Sequence, residues 1–600
     1  MKKIIIVLAL GFLYYFAFAQ KDNKQLTAEF IPDYSMNGHE TIEHLLTHTL
    51  GVQSNTDIKD SIELKIDTLI AQMGLSAKTP GGVIAVIKNG KIIFSKAYGL
   101  ANFQTKEPNK ISTLFNLGSV SKQFTAAAIL MLVKEKKLAL KDDIRKYLPD
   151  FPDYGHTITI ENLIHHTCGI KSYDVLKLMA GTQDSTENQE EIYSLIIKQK
   201  SLNFKPNDEF LYSNSGYVLL VKIIEKTSGM KFSEFMGKKI FQPIGMRQTD
   251  IYDNPIKIIK NSAIGHTWGG DEKFKKTGSI HSTVVGQSNI YTGVEDFLQW
   301  DNNFYKNKLG NWDFNKEMTS LTTFSNGDTC RYAFGLDISE HNGLKTISHQ
   351  GGTGDFTAQY IQIPSEKFAV VCLFNIPVDV TGLAYKITDL FVTGKPKTFA
   401  APAQPEKAKI DSTVLQKYNG KYLDTKQGLV ATITREADHL VFQVPYQDKF
   451  EIYPSSDTSF FATIADIKFV FSKDLKGEMA KMTIIQDGQK FPMDYLGTNA
   501  LPAKAAALSK YAGEYYSEEI NATYPVIFKD DKLYVKFPQS LAQFCKDNPE
   551  AELITEYADY FASPVCGFQF TRNAANDISG FILKDVGRVR NIVFSRVKRR

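Results

Sequence analysis

Cysteine, excess charge and long apolar runs are all scarce in this chain. Only five of the 600 residues are cysteine, and this odd number at low density excludes a fold built on disulfides. The formal net charge is only +4, which leaves no concentrated basic face for binding nucleic acid. After the first residues no run reaches the roughly 20 apolar residues that a bilayer-spanning helix needs. We therefore expect no membrane span in the mature chain.

The last two cysteines allow two interpretations. Cys545 and Cys566 lie close together near the end of the chain. An exported protein could join them in a disulfide. They could equally be separate buried thiols, and the sequence leaves both alternatives open.

The first residues have the pattern of an export signal. Lys2 and Lys3 precede the apolar run IIIVLALGFLYYF, which small residues follow up to Ala19. A positive segment, an apolar segment and a small-residue cleavage site define a signal peptide, here residues 1–19 with cleavage before Gln20. No cysteine follows the cleavage point, so a lipid anchor is not expected. We predict an exported protein, either periplasmic or secreted.

The chain is too long for one hydrophobic core, so several domains are expected. Residues 20–60 are polar and weakly patterned, whereas residues 61–395 carry helix and strand patterns. Residues 396–407 are rich in Pro, Ala and Lys without an apolar period, which is typical of a linker. Two further domains are predicted beyond it, at residues 408–500 and 501–600.

These last two domains repeat one motif. LQKYNGKYLDT at residues 415–425 and LSKYAGEYYSE at residues 508–518 share Leu-x-Lys-Tyr-x-Gly-x-Tyr. Each is followed by short alternating segments separated by turn residues. This spacing predicts two tandem small all-β domains, either barrels or sandwiches.

Two local patterns open the predicted domain at residues 61–395. Apolar residues recur at helical spacing from Ile62 to Met73, which predicts an amphipathic helix. The next segment, GGVIAVIKNGKIIFSKAYGLA, alternates around Asn89 and Gly90. This pattern predicts a β-hairpin with an Asn-Gly turn.

The strongest chemical signal is the S-x-x-K motif within FNLGSVSKQFTAAAILMLVKEKK. Gly118 opens a run of good helix formers with few polar residues, which predicts a buried helix. Ser119 and Lys122 are three residues apart and would share one helix face, with Ser119 at the positive end of the helix dipole. A buried lysine loses its proton readily and can act as a base toward serine. The tetrapeptide alone is weak evidence because such spacings are common.

Two further polar clusters follow along the chain. Tyr212 and Asn214 lie just before an apolar helical pattern. A phenol near the serine and lysine can relay a proton, and Asn214 can hold both a substrate amide and the Lys122 ammonium. The third cluster lies in ISHQGGTGDFTAQYIQIP and contains His349 and Gly351.

In this order the three motifs resemble those of the class C β-lactamase and penicillin-binding serine hydrolases. The resemblance runs from about residue 62 to residue 390, and KIIEKTSGMKFSEFMGKKIFQPIGMRQTD and IYTGVEDFLQWDNNF look like typical family segments. It implies an α/β (α+β) catalytic domain, with an antiparallel sheet flanked by helices and a helical insert. The two C-terminal domains are similar to the lipocalin-like barrels of family D-aminopeptidases, where such a domain can shape substrate access.

The resemblance also implies a role for each motif residue. Ser119 would attack a carbonyl and become acylated, while Lys122 and Tyr212 would share the acid and base work. Asn214 would position them. The far wall of the site would be lined by His349 and Gly351. The backbone N–H groups of Ser119 and Gly352 would form an oxyanion hole.

One position departs from the β-lactamase pattern. Relatives with K-T-G carry a permanent cation on that strand, which suits a substrate carboxylate. Here the position is taken by His349, which is mostly neutral near pH 7. His-x-Gly is common in the esterase, D-aminopeptidase and peptidase-like branches, so strong penicillin turnover is not the favoured prediction. A core histidine bonded to backbone is the alternative interpretation of His349.

The resulting hypothesis is an exported serine hydrolase that forms an acyl-enzyme and needs no cofactor. Its substrate would be a short peptide or an ester, and peptides with D-amino acids or from the cell wall are candidates. Two alternatives remain: a non-catalytic penicillin-binding-like or adhesion protein, and a true β-lactamase.

A pair of similar segments raises the question of a metal site. TIEHLLTHTLGV at residues 41–52 and TIENLIHHTCGI at residues 159–170 match at seven of twelve positions. His44 and His48 have helical spacing, but H-E-x-x-H is absent and zinc catalysis needs a third fixed ligand, so no metal is predicted. The later copy resembles a family segment and is expected to be a helix that ends at Gly169. Partial duplication and chance likeness of two capped helices both stay open.

For the polar residues of the later segment, residues 159–170, we predict a structural role rather than a catalytic one. We expect His165, His166 and Thr167 to brace the loop leading to the active site. Cys168 stands where the family usually has serine. Nothing beside it in sequence suggests a base, so it is predicted to be structural rather than a nucleophile.

Overall fold

The computed structural model describes residues 55–182, 186–269, 274–276, 282–392, 405–486, 489–498 and 505–598. The expected signal peptide, the early segment with His44 and His48, and most of the predicted linker lie outside these residues. Within the described ranges, no helix has the length and apolar character needed to cross a bilayer.

The first part of the chain contains both helices and strands. Its helices are α1 Asn55–Gln72, α2 Lys122–Lys134, α3 Ile160–Ile164, α4 Tyr173–Ala180, α5 Gln189–Ile197, α6 Asn214–Ser228, α7 Phe232–Met236, α8 Gln242–Ile244, α9 Val294–Asn303, α10 Phe314–Met318 and α11 Val380–Phe391. Its short strands are β3 Leu100–Asn102, β4 Glu107–Pro108, β5 Phe115–Asn116, β6 Asp250–Ile251, β7 His266–Trp268, β8 Phe274–Lys276, β9 Ile290–Thr292, β10 Thr322–Thr323 and β11 Thr329–Cys330.

Six longer strands form the central sheet. They are β1 Gly82–Lys88, β2 Lys91–Tyr98, β12 Asp337–His341, β13 Leu344–Gly352, β14 Thr357–Ile363 and β15 Phe368–Phe374. Their order is β12-β13-β14-β15-β1-β2, and every neighbouring pair is antiparallel. The predicted antiparallel sheet of the catalytic domain is therefore confirmed.

Helices cover both faces of this sheet, as strand β1 illustrates. Side chains alternate between the two faces of a strand. Val83 and Ala85 pack into the cluster that contains α2, α6 and α9. Ile84 and Val86 pack into the other cluster, which contains α1 and α11. Burial on both faces explains why this strand is apolar throughout.

Both predicted local elements at the start of the domain form. The turn between β1 and β2 consists of Asn89 with φ 52° and Gly90 with φ 75°. Positive φ at both central residues is the requirement that makes Asn-Gly favourable in a two-residue hairpin. Helix α1 packs on the sheet through buried Ile66 and Ile70, in agreement with the helical spacing.

The rest of the chain forms two closed eight-stranded barrels. The first barrel follows helix α12 Ser412–Gln416 and has strands β16 Gly420–Asp424, β17 Leu429–Glu436, β18 His439–Gln443, β19 Phe450–Pro454, β20 Ser459–Ala462, β21 Ile467–Lys473, β22 Met479–Gln486 and β23 Gln489–Gly497. The second barrel follows α13 Ala505–Leu508, carries α14 Gln539–Ala542, and has strands β24 Gly513–Ser517, β25 Ala522–Lys529, β26 Lys532–Lys536, β27 Glu550–Tyr557, β28 Tyr560–Ala562, β29 Gly567–Arg572, β30 Ile578–Asp585 and β31 Arg590–Arg596.

The repeated motif performs the same structural task in each barrel. In the first barrel the Tyr422 hydroxyl donates to the carbonyl of Tyr418 over 2.8 Å. In the second, the Tyr515 hydroxyl donates to the carbonyl of Tyr511 over 2.6 Å. Both tyrosine pairs are buried at the start of the first strand. The shared letters therefore encode one way of joining the entering chain to the barrel core.

The second barrel is docked firmly on the catalytic domain. Four apolar residues of helix α4 join the apolar cluster of this barrel: Val175, Leu176, Leu178 and Met179. The last turn of the helix is capped from the barrel, since the Tyr524 hydroxyl donates to the carbonyl of Met179 over 2.7 Å. The Ser540 hydroxyl donates to the carbonyl of Leu178 over 2.6 Å. Capping of this kind satisfies carbonyls that have no partner within the helix.

An ion pair is buried at the same interface. Lys171 Nζ lies 2.9 Å from Glu519 Oε2, with side chains 0% and 3% exposed. The Glu519 carboxylate also accepts from the backbone N–H of Lys200 over 3.0 Å. Burial lowers the pKa of Lys171, and the charge of Glu519 opposes this effect.

All five cysteines are buried free thiols. Of the two interpretations of Cys545 and Cys566, the structure contains the separate thiols. Burial raises the pKa of Cys168 to about 11, so this thiol stays protonated near neutral pH. That state fits the structural role predicted for it.

The buried ion pair generates a prediction about docking. Replacing Glu519 by Ala leaves the Lys171 ammonium buried without its partner, and we expect the interface to lose about 3–5 kcal/mol. Hydrogen exchange reports the opening free energy of each segment, so protection of helix α4 should fall by this amount. Glu518→Ala is the matched control. Glu518 pairs with Lys200, but their side chains are 78% and 61% exposed, so this pair should contribute at most about 1 kcal/mol. Equal effects of the two substitutions would contradict the prediction.

Candidate active site

The S-x-x-K motif forms a tight turn that leads into a buried helix. Residues Gly118–Ser121 form a 3-10 turn, and Lys122 is the first residue of helix α2. Gly118 has φ 51°, a value that favours glycine. Ser119 is half-buried while the Lys122 side chain is fully buried. The helix expected at this position exists, but Ser119 lies in the turn before it.

One glycine of the turn and one of strand β13 let the turn approach the sheet. A Cβ atom on Gly351 would lie 1.9 Å from the carbonyl oxygen of Leu117, and one on Gly118 would lie 2.4 Å from the nitrogen of Gly352. These distances are too short for any side chain. Gly118 and Gly351 are thus required for close packing of turn and strand, which places Ser119 beside the His-Gln-Gly-Gly segment.

Lys122 is held by three oxygen atoms from different parts of the chain. Its Nζ atom lies 3.1 Å from Ser119 Oγ, 2.8 Å from Asn214 Oδ1 and 3.0 Å from the backbone carbonyl oxygen of Gln287. The two carbonyl-type oxygens can only accept hydrogen bonds, whereas a serine hydroxyl can either accept or donate.

This arrangement fixes the direction of the amine when it is neutral. A neutral lysine amine has two N–H bonds and one lone pair. Asn214 Oδ1 and the Gln287 carbonyl take the two N–H bonds because neither can donate. The lone pair of Lys122 is then left facing Ser119 Oγ, which is the orientation of a base toward a nucleophile.

The surroundings favour this neutral form. Burial is the main cause that lowers the pKa of Lys122 well below its usual value. The Arg588 guanidinium lowers it further, and the Asp174 carboxylate acts in the opposite direction. Arg588 belongs to the second barrel, so the electrostatics of Lys122 depend on two domains.

Tyr212 and Asn214 lie at the start of helix α6 and complete the polar cluster. Lys122 Nζ lies 4.8 Å from the centre of the Tyr212 ring. The Tyr212 ring also packs against the ring of His166, with ring centres 4.2 Å apart. The backbone N–H of Asn214 donates to Ser172 Oγ over 3.0 Å, and this contact fixes the start of the helix.

His349 is buried and held through both ring nitrogens. Nδ1 lies 2.6 Å from the carbonyl oxygen of Gln350, and Nε2 lies 2.9 Å from the Tyr332 hydroxyl. Because a carbonyl only accepts, Nδ1 carries the proton and Nε2 accepts from Tyr332. Burial, with a smaller contribution from Lys122, lowers the pKa of His349 to about 3. The ring lies 6.3 Å from that of Tyr212, so the residue both bonds to backbone and lies near the motif residues.

The segment at residues 159–170 braces the site in the predicted way. His165 Nδ1 lies 2.7 Å from the carbonyl oxygen of Tyr332, and His166 Nδ1 accepts from the backbone N–H of Ser213 over 3.1 Å. The Thr167 hydroxyl donates to Asn207 Oδ1 over 3.2 Å. These bonds tie the segment to the residues that flank Tyr212.

The end of helix α3 differs from the prediction. The helix stops at Ile164, and His166 with φ 57° is the first left-handed residue after it. Gly169 also has a positive φ of 72°, but a Cβ atom there would lie 2.1 Å from the carbonyl oxygen of Phe204. This glycine therefore serves close packing of two loops and does not end the helix.

All seven motif residues predicted from the sequence lie around one point of the catalytic domain. Sequence reasoning missed four others: Ser172, Gln287, Tyr332 and Arg588. Gln287 contributes a backbone carbonyl, which has no signature in a sequence. Within the described residues no group of His, Cys, Asp or Glu could hold a metal ion.

The depressed pKa of His349 generates a prediction about stability. In the unfolded chain the ring takes up a proton near pH 6.5, whereas in the folded state it does so only near pH 3. The folded state is therefore favoured above pH 6.5, and this contribution is lost as pH falls toward 3. Between pH 6.5 and 5 the loss should be roughly 2 kcal/mol, and His349→Gln should remove this part of the pH dependence.

The measurement is urea unfolding of the full chain at several pH values. All three tryptophans lie in the catalytic domain, so their fluorescence follows this domain. His156→Gln is the control because His156 is exposed, and it should keep the slope of the natural chain. An unchanged slope in His349→Gln would show that the ring titrates equally in both states.

Comparison with known proteins agrees with this geometry. The Beta-lactamase family model matches residues 66–390, more than half of the chain. A second model, for a domain of unknown function (DUF3471), matches residues 404–495 and so covers the first barrel.

Individual relatives extend the match. Penicillin-binding protein 4* of Bacillus subtilis is 29% identical over 438 residues, which span 70% of this chain and 96% of the relative. A D-aminopeptidase of Brucella anthropi is 23% identical over 481 residues, which span 79% of this chain and 85% of the relative. Among solved structures, the octameric penicillin-binding protein homologue from Pyrococcus abyssi has a TM-score of 0.51 at 21% identity, and covers 80% of this chain and 98% of its own.

The family match and the polar cluster around Ser119 and Lys122 point to the same class of protein. The Pyrococcus structure shares the fold of this chain. This chain belongs to the β-lactamase family and is one of its serine hydrolases.

Proposed function

We propose that the protein hydrolyses amide bonds of short peptides, including those with a D-residue on the acyl side, through an acyl-enzyme on Ser119. The observation that carries the proposal is the position of Lys122 Nζ, which lies 3.1 Å from Ser119 Oγ and is also held by Asn214 Oδ1 and the Gln287 carbonyl. The names of the relatives support the substrate class, because one of them is a D-aminopeptidase. Small activated esters would react at the same serine.

We propose that the side chains of Ser119, Lys122 and Tyr212 carry out acylation. Ser119 Oγ attacks the substrate carbonyl carbon while its proton passes to Lys122 Nζ. The C–N bond of the tetrahedral intermediate then breaks, and the leaving amine takes the proton of Lys122 Nζ through Tyr212, which returns the lysine to its neutral form. Asn214 keeps the lysine amine in place throughout, since its Oδ1 atom lies 2.8 Å from Nζ.

The same groups serve deacylation in reverse. A water molecule attacks the carbonyl carbon of the ester and gives a proton to Lys122 Nζ. The Oγ–C bond then breaks, and Ser119 Oγ takes this proton back from Lys122. In both steps negative charge develops on the carbonyl oxygen. We propose that the backbone N–H groups of Ser119 and Gly352 stabilise it, a contribution worth about 3–4 kcal/mol per donor in serine hydrolases.

The far wall favours uncharged over carboxylate-bearing substrates. His349 has a pKa of about 3, so it is neutral at physiological pH and offers no cation to a free C-terminal carboxylate. Hydrolysis at the amino end of a peptide, or of an amide or ester, fits this wall better than removal of a C-terminal residue.

Acylation by penicillin is a second candidate. It is favoured by the similarity to Penicillin-binding protein 4*, which extends over 96% of that relative. We further propose that the protein acts after export, as the Lys2-Lys3 segment and the apolar run behind it indicate.

The serine mechanism predicts a covalent adduct. Brief mixing with a small activated ester, a D-alanine amide or a penicillin should add the mass of one acyl group to the natural chain. Ser119→Ala should show no adduct and lose at least about 1,000-fold in turnover. Intact-mass spectrometry measures the adduct, and the reagent that acylates separates peptidase or esterase chemistry from penicillin recognition.

Ser121→Ala is the matched control from the same turn. The Ser121 hydroxyl accepts a long contact of 3.4 Å from the N–H of Ile290, whereas the serine oxygen that Lys122 approaches is that of Ser119, so acylation should persist. An adduct that survives in Ser119→Ala, or a folded natural chain that reacts with none of the three reagents, would refute the proposed function.

The glycine contacts predict a loss of rate without loss of the nucleophile. Gly351→Ala forces the Leu117 carbonyl and the Ser119 turn away from the strand, because the new Cβ would lie 1.9 Å from that oxygen. A displacement near 1 Å should lower the acylation rate about 100-fold, as stopped-flow measurement with the ester would show. Gly237→Ala, which meets nothing within 4 Å, should keep the natural rate; a similar rate in both variants would contradict the packing argument.

A further inference from the structure

The turn between the last two strands of the second barrel reaches the catalytic site. This turn, residues 586–589, lies between β30 and β31. Its tip is held on both sides by Asn203 of the catalytic domain. Asn203 Nδ2 donates to the carbonyl of Arg588 over 2.9 Å, and its Oδ1 accepts from the N–H of Arg590 over 2.7 Å. The backbone of Arg588 is therefore positioned by the catalytic domain itself.

The side chain of Arg588 lies on a proposed catalytic residue. Its guanidinium carbon is 5.0 Å from the centre of the Tyr212 ring, which is the distance of a cation–π contact. Its Nη1 atom lies 3.2 Å from Asp174 Oδ2, and the arginine side chain is only 11% exposed. A cation so deeply buried between two named partners is a built feature of the interface.

A continuous chain of hydrogen bonds runs from this ion pair to the lysine. The Ser172 hydroxyl donates to Asp174 and accepts from the backbone N–H of Asn214 over 3.0 Å. Asn214 Oδ1 in turn accepts from Lys122 Nζ over 2.8 Å. Displacement of Arg588 would thus release Asp174, Ser172 and the start of helix α6 together.

The charge of Arg588 also acts on Lys122. Six titratable groups surround Lys122: Tyr212, Tyr217, His166, His349, Asp174 and Arg588. Burial lowers the pKa of both histidines, so their rings are neutral near pH 7. Among these described groups, the charge acting on Lys122 is that of Arg588 and Asp174.

We propose that Arg588 is a positioning residue for acyl transfer, so that the second barrel supplies part of the catalytic site. This inference rests on the function proposed above. Arg588 acts on Tyr212 by direct contact and on Lys122 through Asp174, Ser172 and Asn214. Its charge also disfavours a second cation on Lys122 and so keeps the base available.

The test compares Arg588→Met with Asp174→Asn in the full-length protein. Without the arginine charge, Lys122 should take up its proton more readily, so the acid limb of the pH profile of kcat for ester hydrolysis should move to higher pH by about one unit. At a fixed pH on this limb, such a shift lowers kcat about tenfold. Without the aspartate charge, the limb should move to lower pH. Arg588→Lys should restore the limb of the natural chain, although the planar contact with Tyr212 is weakened.

Arg572→Met is the control within the same barrel. Arg572 pairs with Asp559 and contacts Tyr511 and Asn576, all of the second barrel, so its loss should leave kcat and the pH profile unchanged. KM should change by less than about twofold in the Arg588 variants, because the residue acts through others and not on substrate. Folded Arg588→Met with the natural pH profile, or shifts of the limb in the same direction for Arg588→Met and Asp174→Asn, would overturn the proposal.

A second readout separates this inference from the proposed function. The NMR chemical shift of Lys122 Cε, assigned by comparison with Lys122→Met and followed over pH, reports the protonation of this buried amine without any turnover. In the Ser119→Ala background the two substitutions should again shift this titration profile in opposite directions. Opposite shifts, together with no acyl-enzyme in the natural chain, would support the coupling and refute the hydrolase. Equal profiles, together with acylation of the natural chain, would refute the coupling alone.

Discussion

The burial of one lysine amine is the constraint on which the rest of the site depends. An ammonium group enclosed in protein loses most of its hydration, so the neutral form gains relative to the charged form. Lys122 meets two oxygens that cannot donate, and its remaining bonding direction is toward Ser119. The turn before helix α2, the start of helix α6 and the loop with Gln287 must all converge for this to happen. The domain is therefore organised around the protonation state of a single group.

Much of this organisation could be predicted from the sequence because short-range rules determine it. Asn89 and Gly90 specify a hairpin turn, and the alternation around them specifies two strands. Ser119 and Lys122 specify a shared helix face, even though the structure places the serine in a 3-10 turn. The repeated Leu-x-Lys-Tyr-x-Gly-x-Tyr motif specifies the entry to a barrel, where each tyrosine pair makes the same hydrogen bond.

The parts that could not be predicted depend on contacts between distant segments. The carbonyl of Gln287 has no side-chain signature, and Tyr332 lies in a stretch without a recognisable motif. The end of helix α3 was misplaced because Gly169 is required by the approach of Phe204, a contact invisible in the local sequence. Docking of the second barrel was equally hidden, since the apolar face of helix α4 reads like any core helix although it packs into another domain.

The docked turn at Arg588 has a consequence for how the protein comes into being. A chain is synthesised from its N-terminus, and its domains generally fold in that order. The segment with Ser119 is therefore made well before the turn with Arg588. The helix that the second barrel covers must wait with its apolar face uncovered until then, and contacts over such a separation form slowly. The proposed role of Arg588 would thus delay full reactivity of the site until the second barrel has been made and has docked.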